Sequence, residues 1–291
     1  SSTAHKPIRD FLLKSQLADH VIVGEGENAI VKLINDLENN IAEYSVIYSD
    51  NIAPKDIDYN EIIVPTIKEI DELPFPDFSD LDLDLYTLEY NRNYRFASIA
   101  TSRGCVNRCA YCSETQYWRR YRQRSVSCVI DEIEYQYNTH NMKIFFFCDS
   151  LINGNVMWLR DFCNQLITKK IDIQWLSYVT LNNINGELLQ LMHDSGCVAL
   201  TFGIEHININ VLTGVNKRSS IGDTKSRLLE CVNSKIFPIA NIIYSLPNET
   251  PEAFIELLAF TCDPDINSNV LFTFRPYEIR VGSVTTNKLM E

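Results

Sequence analysis

The stretch TSRGCVNRCAYCSE, residues 101–114, contains three cysteines, Cys105, Cys109 and Cys112, at intervals of four and three positions. The next cysteine along the chain is Cys128. An apolar run, FASIAT at residues 96–101, comes directly before the stretch and is typical of a buried strand. The three cysteines are therefore predicted to lie on a loop at the end of a strand rather than along a helix.

Three thiolates on so short a loop suit a 4Fe-4S cluster with one open iron, because peptide N–H groups of the loop can offset the charge of the sulfides. A structural zinc site is closed by four protein ligands, usually in two pairs. The other six cysteines are scattered along the chain, and no histidine lies near the loop. We predict the cluster, with structural zinc and unligated cysteines as the alternatives.

From residue 96 onward, short apolar runs alternate with segments of helical periodicity. The predicted strands are 96–101, 143–148, 173–179, 198–204, 237–244 and 269–274. The predicted helices are 126–139, 156–169, 186–194, 222–234 and 251–261. Strands that read as continuous apolar runs indicate a parallel sheet with both faces covered, in either a partly closed βα barrel or an open doubly wound sheet.

Both architectures place the functional residues at the carboxyl ends of the strands. Polar residues follow the predicted strands at these ends. They are Asp149, Ser150, Tyr178, Thr180, Glu205, His206, Ser245 and Asn248. Together with the cysteine loop they predict a single site at one end of the fold.

The composition limits the classes of function. A net charge of -12 over 291 residues disfavours a protein that grips nucleic acid through phosphates. No run approaches the ~20 apolar residues of a membrane span, and no signal peptide is apparent, so we expect a soluble, cytoplasmic protein. Nine cysteines, an odd number in a chain with an ordinary core, indicate reduced thiols.

The front of the chain predicts a smaller α/β piece. Residues 20–39 read as a strand, a turn at Gly24–Glu25–Gly26 and a helix with Ile30, Leu33, Ile34 and Leu37 on one face. Residues 71–84 carry two prolines and six carboxylates, which is typical of an extended connector. We expect a strand-helix remnant at 1–40, a linker at 41–95 and the main domain at 96–291.

The cysteine loop resembles the signature of the radical S-adenosylmethionine (SAM) superfamily, Cys-x3-Cys-x-aromatic-Cys, with Tyr111 at the aromatic position. The resemblance implies a partial (βα)6 TIM-like barrel in which Cys105, Cys109 and Cys112 hold the cluster and SAM chelates the fourth iron. It further implies reductive cleavage of SAM to a 5'-deoxyadenosyl radical that removes a hydrogen from substrate, with a reductant such as flavodoxin or ferredoxin.

The same resemblance implies roles around SAM, while the residues acting on substrate are unknown. Tyr111 matches the adenine position, Asp149 and Ser150 the amino-group position, and Glu205 the position near the ribose or amino-acid part. The SAM-binding candidates are completed by Arg124 for the carboxylate and by Ser245 in YSLPNET, where Ser245 and Asn248 replace two glycines of the family pattern. Structural alternatives are Asp149 as a helix cap, Glu205 as a rim carboxylate and Arg124 in a solvated helix start.

The segment around Gly24, Glu25 and Gly26 resembles the end of the cobalamin-binding domain in the cobalamin-dependent branch of the superfamily. If the chain is a fragment of a longer protein, the resemblance implies a methyltransferase acting on an unactivated carbon. If it is a natural short relative that works without cobalamin, the resemblance implies hydrogen-atom abstraction with a different outcome. A cobalamin-independent enzyme, such as a peptide epimerase, a cyclase or another peptide or small-molecule modifier, is the alternative. A non-catalytic metal-binding protein is the remaining reading. We expect a small-molecule or peptide substrate.

Overall fold

The computed structural model describes residues 6–51, 53–56, 58, 60–85, 87–88, 91–217, 223–280 and 283–286. The chain divides into two compact units. The small unit comprises residues 1–70, 111–121 and 279–291, and the large unit comprises residues 71–110 and 122–278. None of the helices in the described ranges is both long enough and apolar enough to cross a membrane.

The small unit is built on a three-stranded parallel sheet. Its elements are α1 (Lys6–Lys14), β1 (Val21–Val23), α2 (Glu27–Glu38), β2 (Val46–Ser49), β3 (Glu61–Val64) and, from the returning segment, α3 (Glu114–Trp118). The strands lie in the order β1-β2-β3, with Val21 opposite Val46 and Val46 opposite Glu61. Small apolar clusters cover the sheet, one of them formed by Ala29 and Leu33 of α2 with Ile47 and its neighbours.

Two expectations about this unit were wrong. Residues 41–95 were expected to be a linker, but β2 and β3 lie within them, because runs of four residues are too short to show a clear period. In α2 only Leu33 of the predicted apolar face is buried, whereas Ile30, Ile34 and Leu37 are exposed. The helix packs through Ala29, Leu33 and Asp36 instead.

The large unit contains a seven-stranded sheet and a layer of helices. Its strands are β4 (Thr87–Leu88), β5 (Asn91–Ile99), β6 (Ser102–Arg103), β7 (Arg122–Gln123), β8 (Met142–Phe147), β9 (Gln174–Val179), β10 (Cys197–Glu205), β11 (Phe237–Tyr244) and β12 (Leu271–Pro276). Its helices are α4 (Val126–His140), α5 (Val156–Lys169), α6 (Gly186–Asp194), α7 (Ile209–Gly214), α8 (Thr224–Asn233), α9 (Pro251–Thr261) and α10 (Pro264–Asn267).

The strand order is β12-β11-β10-β9-β8-β5-β4, and all pairs except β4 with β5 are parallel. Six parallel strands thus neighbour one another in their order along the chain. A doubly wound sheet reverses its order at a switch point, whereas a βα barrel does not. The consecutive order confirms the partial (βα)6 barrel and places the carboxyl ends of all six strands at one edge.

Side-chain caps fix where several helices begin. Ser125, Asn155, Asn185 and Thr250 each accept a hydrogen bond from a backbone N–H in the first turn of the following helix. The helices α5, α6 and α9 therefore each begin with a side-chain cap, within nine residues of the end of the preceding strand. Aromatic packing holds this layer on the sheet, since Phe162 of α5 contacts Phe147 and Trp175 with ring centroids 5.4 and 6.0 Å apart.

Candidate functional site

The cysteine loop starts beyond the end of β5 and is closed by a short ladder. Ser102 pairs with Gln123 and Arg103 with Arg122, in the antiparallel arrangement of β6 and β7. Residues 104–121, with all three cysteines, lie between these two strands. The ladder brings both ends of the loop to the carboxyl end of the first barrel strand.

Asp149, at the end of β8, anchors the start of the loop. Its carboxylate is 2% exposed and accepts hydrogen bonds from the N–H of Thr101 at 3.1 Å, from the hydroxyl of Thr101 at 2.9 Å and from the hydroxyl of Ser102. Burial raises the pKa of Asp149, and these hydrogen bonds oppose that rise. Asn155, rather than Asp149, caps α5. The contact of Asp149 with SAM stays a prediction.

A backbone amide of the loop supports the sulfur of Cys105. Cys109 is buried, and Cys105 and Cys112 are half-buried. The backbone N–H of Asn107 donates to Sγ of Cys105 at 3.4 Å. Such a bond stabilises a thiolate and is the support that cluster ligands receive from their own loop.

The donor set fits a cluster. Among the residues that the structure describes, no three His, Cys, Asp or Glu side chains converge on one metal ion. A 4Fe-4S cube makes a different demand, because each thiolate binds its own iron at a separate corner. Three cysteine thiols within eight residues supply the type and number of ligands that such a cluster needs.

The connection after β10 is hydrogen-bonded to the loop around Cys109. The N–H of Ala110 donates to the carbonyl of Val215 at 2.8 Å. The side-chain amide of Asn216 donates to the carbonyl of Arg108 at 2.7 Å. These two bonds flank Cys109 and fix its backbone against the segment that follows α7.

Glu205 and Lys217 form a buried ion pair beside this connection. Nζ of Lys217 lies 3.3 Å from Oε1 of Glu205, and the two side chains are 9% and 11% exposed. A Cβ at Gly203 would lie 2.8 Å from that Oε1, so a larger residue there would require the carboxylate of Glu205 to shift. Glu205 itself has φ +65°, a conformation that non-glycine residues seldom adopt outside functional sites and turns. Glu205 is therefore not a solvated rim carboxylate.

His206 is buried and neutral next to this pair. The N–H of Asn208 donates to its Nδ1 at 2.9 Å, which assigns the ring proton to Nε2. Nε2 lies 3.6 Å from Oε1 of Glu249, and burial lowers the pKa of His206. Oε2 of Glu249 accepts the N–H of Leu246 at 3.0 Å. Nε2 of His206 and Oε1 of Glu249 are both buried and form no hydrogen bond within the described part of the chain, so His206 lies near the end of β11 without being bonded to it.

The turn after β11 has a left-handed backbone at both positions where the family pattern has glycine. Ser245 and Asn248 have φ of +63° and +69°, in the left-handed region that favours glycine. Both side chains are exposed. Ser245 and Asn248 thus adopt the backbone conformation that glycine would adopt most easily at these two positions.

The other predicted positions at this edge differ in exposure. Ser150 is half-buried and Tyr178 is 38% exposed. Thr180 is buried, and its N–H donates to Oδ1 of Asn153 at 3.0 Å. Nδ2 of Asn153 donates to the carbonyls of Thr180 and Asn182 at 2.9 and 3.1 Å. Asn153 thus ties the segment after β8 to the segment after β9.

Arg124 is engaged within the protein. Its guanidinium is 11% exposed, lies 2.5 Å from Oε2 of Glu132 and donates to the carbonyl of Ala100 at 3.0 Å. It also lies over the ring of Phe75, with Cζ 5.9 Å from the centroid. The alternative of a solvated helix start is wrong, because Arg124 is a buried partner of α4. Its contact with the carboxylate of SAM stays a prediction.

In the small unit, the turn after β1 meets the segment that follows the cysteines. Gly24 has φ +103°, and the hydroxyl of Tyr117 in α3 donates to its carbonyl at 2.8 Å. Glu25 is buried, donating its N–H to Oγ of Ser49 at 3.1 Å and accepting the amide of Asn51 at 3.2 Å. A Cβ at Gly26 would meet no atom within 4 Å. Tyr111, in the same segment as Tyr117, is half-buried.

Sequence reasoning missed Lys217, Asn153 and Tyr117. Lys217 and Asn153 act on residues distant in sequence, and no local pattern marks them. Tyr117 stands near the cysteines, but its partner Gly24 is far away along the chain. The one available signal was that Asn153 lies in the same short segment as Asp149 and Ser150.

Comparison with known proteins finds relatives that align with most of this chain. The chain is 28% identical over 276 residues to an anaerobic magnesium-protoporphyrin IX monomethyl ester cyclase of Cereibacter sphaeroides, covering 92% of this chain and 45% of that protein. The chain thus spans about half the length of the curated relatives that it matches.

Two solved structures share the fold. The radical SAM methyltransferase TsrM of Kitasatospora setae, with cobalamin and a 4Fe-4S cluster bound, superposes with a TM-score of 0.62 at 20% identity, over 69% of this chain and 40% of that one. The cobalamin-dependent SAM radical enzyme OxsB superposes with a TM-score of 0.60 at 17% identity, over 98% of this chain and 48% of that one.

A family match accounts for the barrel and its cysteine loop together. The Radical SAM superfamily model matches residues 99–261, which is more than half of the 291-residue chain. The match runs from the end of β5 to the end of α9 and includes the cysteine loop. The chain belongs to the radical SAM superfamily of enzymes.

Proposed function

We propose that this enzyme binds a 4Fe-4S cluster through Cys105, Cys109 and Cys112, cleaves SAM reductively and uses the radical in cobalamin-dependent methylation of an unactivated carbon. The observation that carries the first part is the three-cysteine loop, closed by β6 and β7 at the end of the first of six consecutive parallel strands. When bound, cluster and SAM would supply the 5'-deoxyadenosyl radical.

The residues of the chain hold and orient these groups. Asp149 fixes the start of the cysteine loop, while Val215 and Asn216 fix the backbone on either side of Cys109. Rigid support of this kind keeps reacting groups in a productive geometry. Tyr111, Ser150, Glu205 and Ser245 are proposed to contact SAM. The pairing of Arg124 with Glu132 favours a role for Arg124 in holding the backbone at Ala100.

The small unit supports the cobalamin part of the proposal. The turn at Gly24–Glu25–Gly26 follows a parallel strand, and its open side at Gly26 leaves room for a ligand. Tyr117 joins this turn to the segment directly after Cys112. When bound, cobalamin would carry the methyl group to be transferred. The likeness to TsrM and OxsB points the same way.

The partners are proposed from charge and chemistry. The excess of carboxylates favours a small molecule or peptide over nucleic acid as substrate. Cluster reduction needs an electron donor, which we propose to be flavodoxin or ferredoxin in the cytoplasm.

A second candidate is a cobalamin-independent enzyme of the same superfamily. The relative from Cereibacter sphaeroides is named a cyclase and aligns with 92% of this chain. In such an enzyme the radical would lead to cyclisation, epimerisation or another modification of a peptide or small molecule.

Substitution at Gly26 separates the two candidates. A Cβ there meets no atom and the backbone is not in the left-handed region, so Gly26→Val should fold while it fills the open side of the turn. Gly186→Val is the matched control, because a Cβ at Gly186 also meets nothing. Each protein is reconstituted anaerobically with iron and sulfide, and hydroxocobalamin retention is measured by dialysis.

We expect the wild type and Gly186→Val to retain cobalamin and Gly26→Val to lose at least about tenfold in affinity, while all three form 5'-deoxyadenosine from SAM and dithionite. Formation of 5'-deoxyadenosine without cobalamin retention by the wild type would support the cobalamin-independent candidate. Equal retention by Gly26→Val would remove the turn from the proposed cobalamin site.

A further inference from the structure

An open cleft of about 540 Å³ lies in the helix layer of the large unit, and none of the residues that line it belongs to the cysteine loop. Its walls are the start of α5, the loop after β9 and the start of α8. Leu181 and Ile184 contribute apolar surface, and Asn182, Asn183 and Asn185 contribute amides. A cavity of this size suits a small organic ligand.

The charge of the cleft is opposite to that of the chain. Arg160 of α5 and Arg227 of α8 both line it, and its lining residues include no carboxylate. The whole chain has a net charge of -12, so a cleft lined by two arginines and no carboxylate is locally positive on an acidic protein. Glu187 and Glu230 reach these arginines, at 2.8 and 2.9 Å, but are not lining residues.

The arginines can bind more than these glutamates. Each ion pair is made by one guanidinium nitrogen, Nη1, whereas a guanidinium carries five N–H donors. Glu187 is 76% exposed, so its pair with Arg160 is weakened by solvent. A ligand oxyanion that receives two N–H bonds from one guanidinium binds more strongly than an exposed carboxylate held by one.

The loop between the arginines is preorganised. Asn153 holds it through the carbonyls of Thr180 and Asn182, and Asn185 caps α6 by accepting the N–H of Leu188 at 2.9 Å. The amino-terminal end of the nine-residue helix α6 adds a favourable field for an anion.

We propose that this cleft binds a small ligand through an oxyanion, either a phosphate ester or a carboxylate, held between Arg160 and Arg227 with the amides of residues 182–185 around it. The inference does not depend on the proposed function, because the cleft shares no residue with the cysteine loop or with the turn at Gly24.

Titration calorimetry on the reconstituted 291-residue protein tests the site with two probes used separately, inorganic phosphate and acetate. We expect one of them to bind at millimolar concentration, which identifies the source of the oxyanion. Arg160→Gln and Arg227→Gln should each weaken that binding by about tenfold or more. Arg275→Gln, an exposed arginine of β12 outside the cleft, is the control and should leave it unchanged.

Removing the negative charge of the glutamates that pair with Arg160 and Arg227 should change probe binding in the opposite direction. Glu187→Gln and Glu230→Gln should strengthen binding of the same probe by about threefold, because each frees a guanidinium from its ion pair. No measurable binding of either probe, or equal losses in Arg275→Gln and the cleft variants, would overturn the proposal. Formation of 5'-deoxyadenosine should be unchanged in all of them, so failure of the cleft is distinguishable from failure of the radical chemistry.

Discussion

One continuous apolar core supports the six parallel strands of the large unit, whereas the three strands of the small unit, each of three or four residues, rest on two small apolar clusters. The small unit adds a buried polar network in which Arg9 contacts the hydroxyl of Tyr48 and lies 3.5 Å from Glu61. The hydroxyl of Tyr48 donates to Glu61 at 3.2 Å. A short sheet buries little apolar area, so its stability depends more on polar partners.

Deletion of an aromatic side chain tests the large unit and has the largest expected effect on stability. Phe162 is fully buried and stacks on Trp158 with ring centroids 5.3 Å apart. Phe162→Ala should lower the free energy of unfolding by about 4 kcal/mol, through lost burial and the cavity left behind. The loss in free energy of unfolding is measured by denaturant unfolding, with hydrogen exchange of the amides of β9 as the probe.

Phe274→Ala is the control for that change. Phe274 lies in the same sheet but is 42% exposed, so its deletion should stay within about 0.5 kcal/mol of the wild type. Similar losses for Phe162→Ala and Phe274→Ala would break the claim that one apolar core stabilises the large unit.

Removal of a buried charge tests the small unit. Arg9 is 4% exposed, and Arg9→Met leaves the carboxylate of Glu61 buried without its cation. We expect a loss of about 3 kcal/mol, measured by hydrogen exchange of the amides of β2. The double variant Arg9→Met with Glu61→Leu should recover most of it, because it removes both charges. A double variant as unstable as the single one would contradict a network that depends on charge pairing.

Titration of Tyr44 gives a second test of how far the small unit depends on buried polar groups. Burial and the hydrogen bond to Asp36, at 2.8 Å, raise the pKa of Tyr44 from 10.0 to about 12. Below pH 10, the pKa of Tyr44 in the unfolded chain, the tyrosine is protonated in both states and its hydrogen bond stabilises the folded unit fully. Between pH 10 and 12 the unfolded chain releases the phenolic proton while the folded unit still retains it, so the unfolded state becomes relatively more favourable. Stability should therefore fall by at most about 2.7 kcal/mol between pH 10 and 12.

Tyr44→Phe supplies the control for the titration. It cannot ionise, so the difference in unfolding free energy between wild type and Tyr44→Phe should shrink across this interval. A difference that is constant between pH 10 and 12 would contradict the raised pKa of Tyr44.

The two units also differ in how well the sequence predicted them. In the large unit, helices at 156–169, 186–194 and 251–261 were predicted with their observed bounds, because long amphipathic periods and caps mark both ends. The order of the strands was not predictable, since a barrel and a doubly wound sheet share the same local pattern. In the small unit, β2 and β3 were not predicted, because a strand of four residues is too short to show a clear alternation of apolar and polar residues.

The site shows the same limit. The cysteines were recognisable because their spacing is local, and Ser245 and Asn248 because a turn is local too. The partners of Asp149, Glu205 and Arg124 were not predictable, because Thr101, Lys217 and Glu132 meet them only through the tertiary fold. Sequence alone could therefore name charged residues near the cluster without showing which of them are already paired.

The central claim is that Cys105, Cys109 and Cys112 hold the cluster that cleaves SAM. The most direct test measures 5'-deoxyadenosine from SAM and dithionite in anaerobically reconstituted wild type, in the three single alanine variants and in Cys262→Ala, an exposed cysteine outside the loop. We expect the loop variants to fall to background with loss of cluster iron, and Cys262→Ala to match the wild type. Wild-type rates in any of the three loop variants would contradict the assignment.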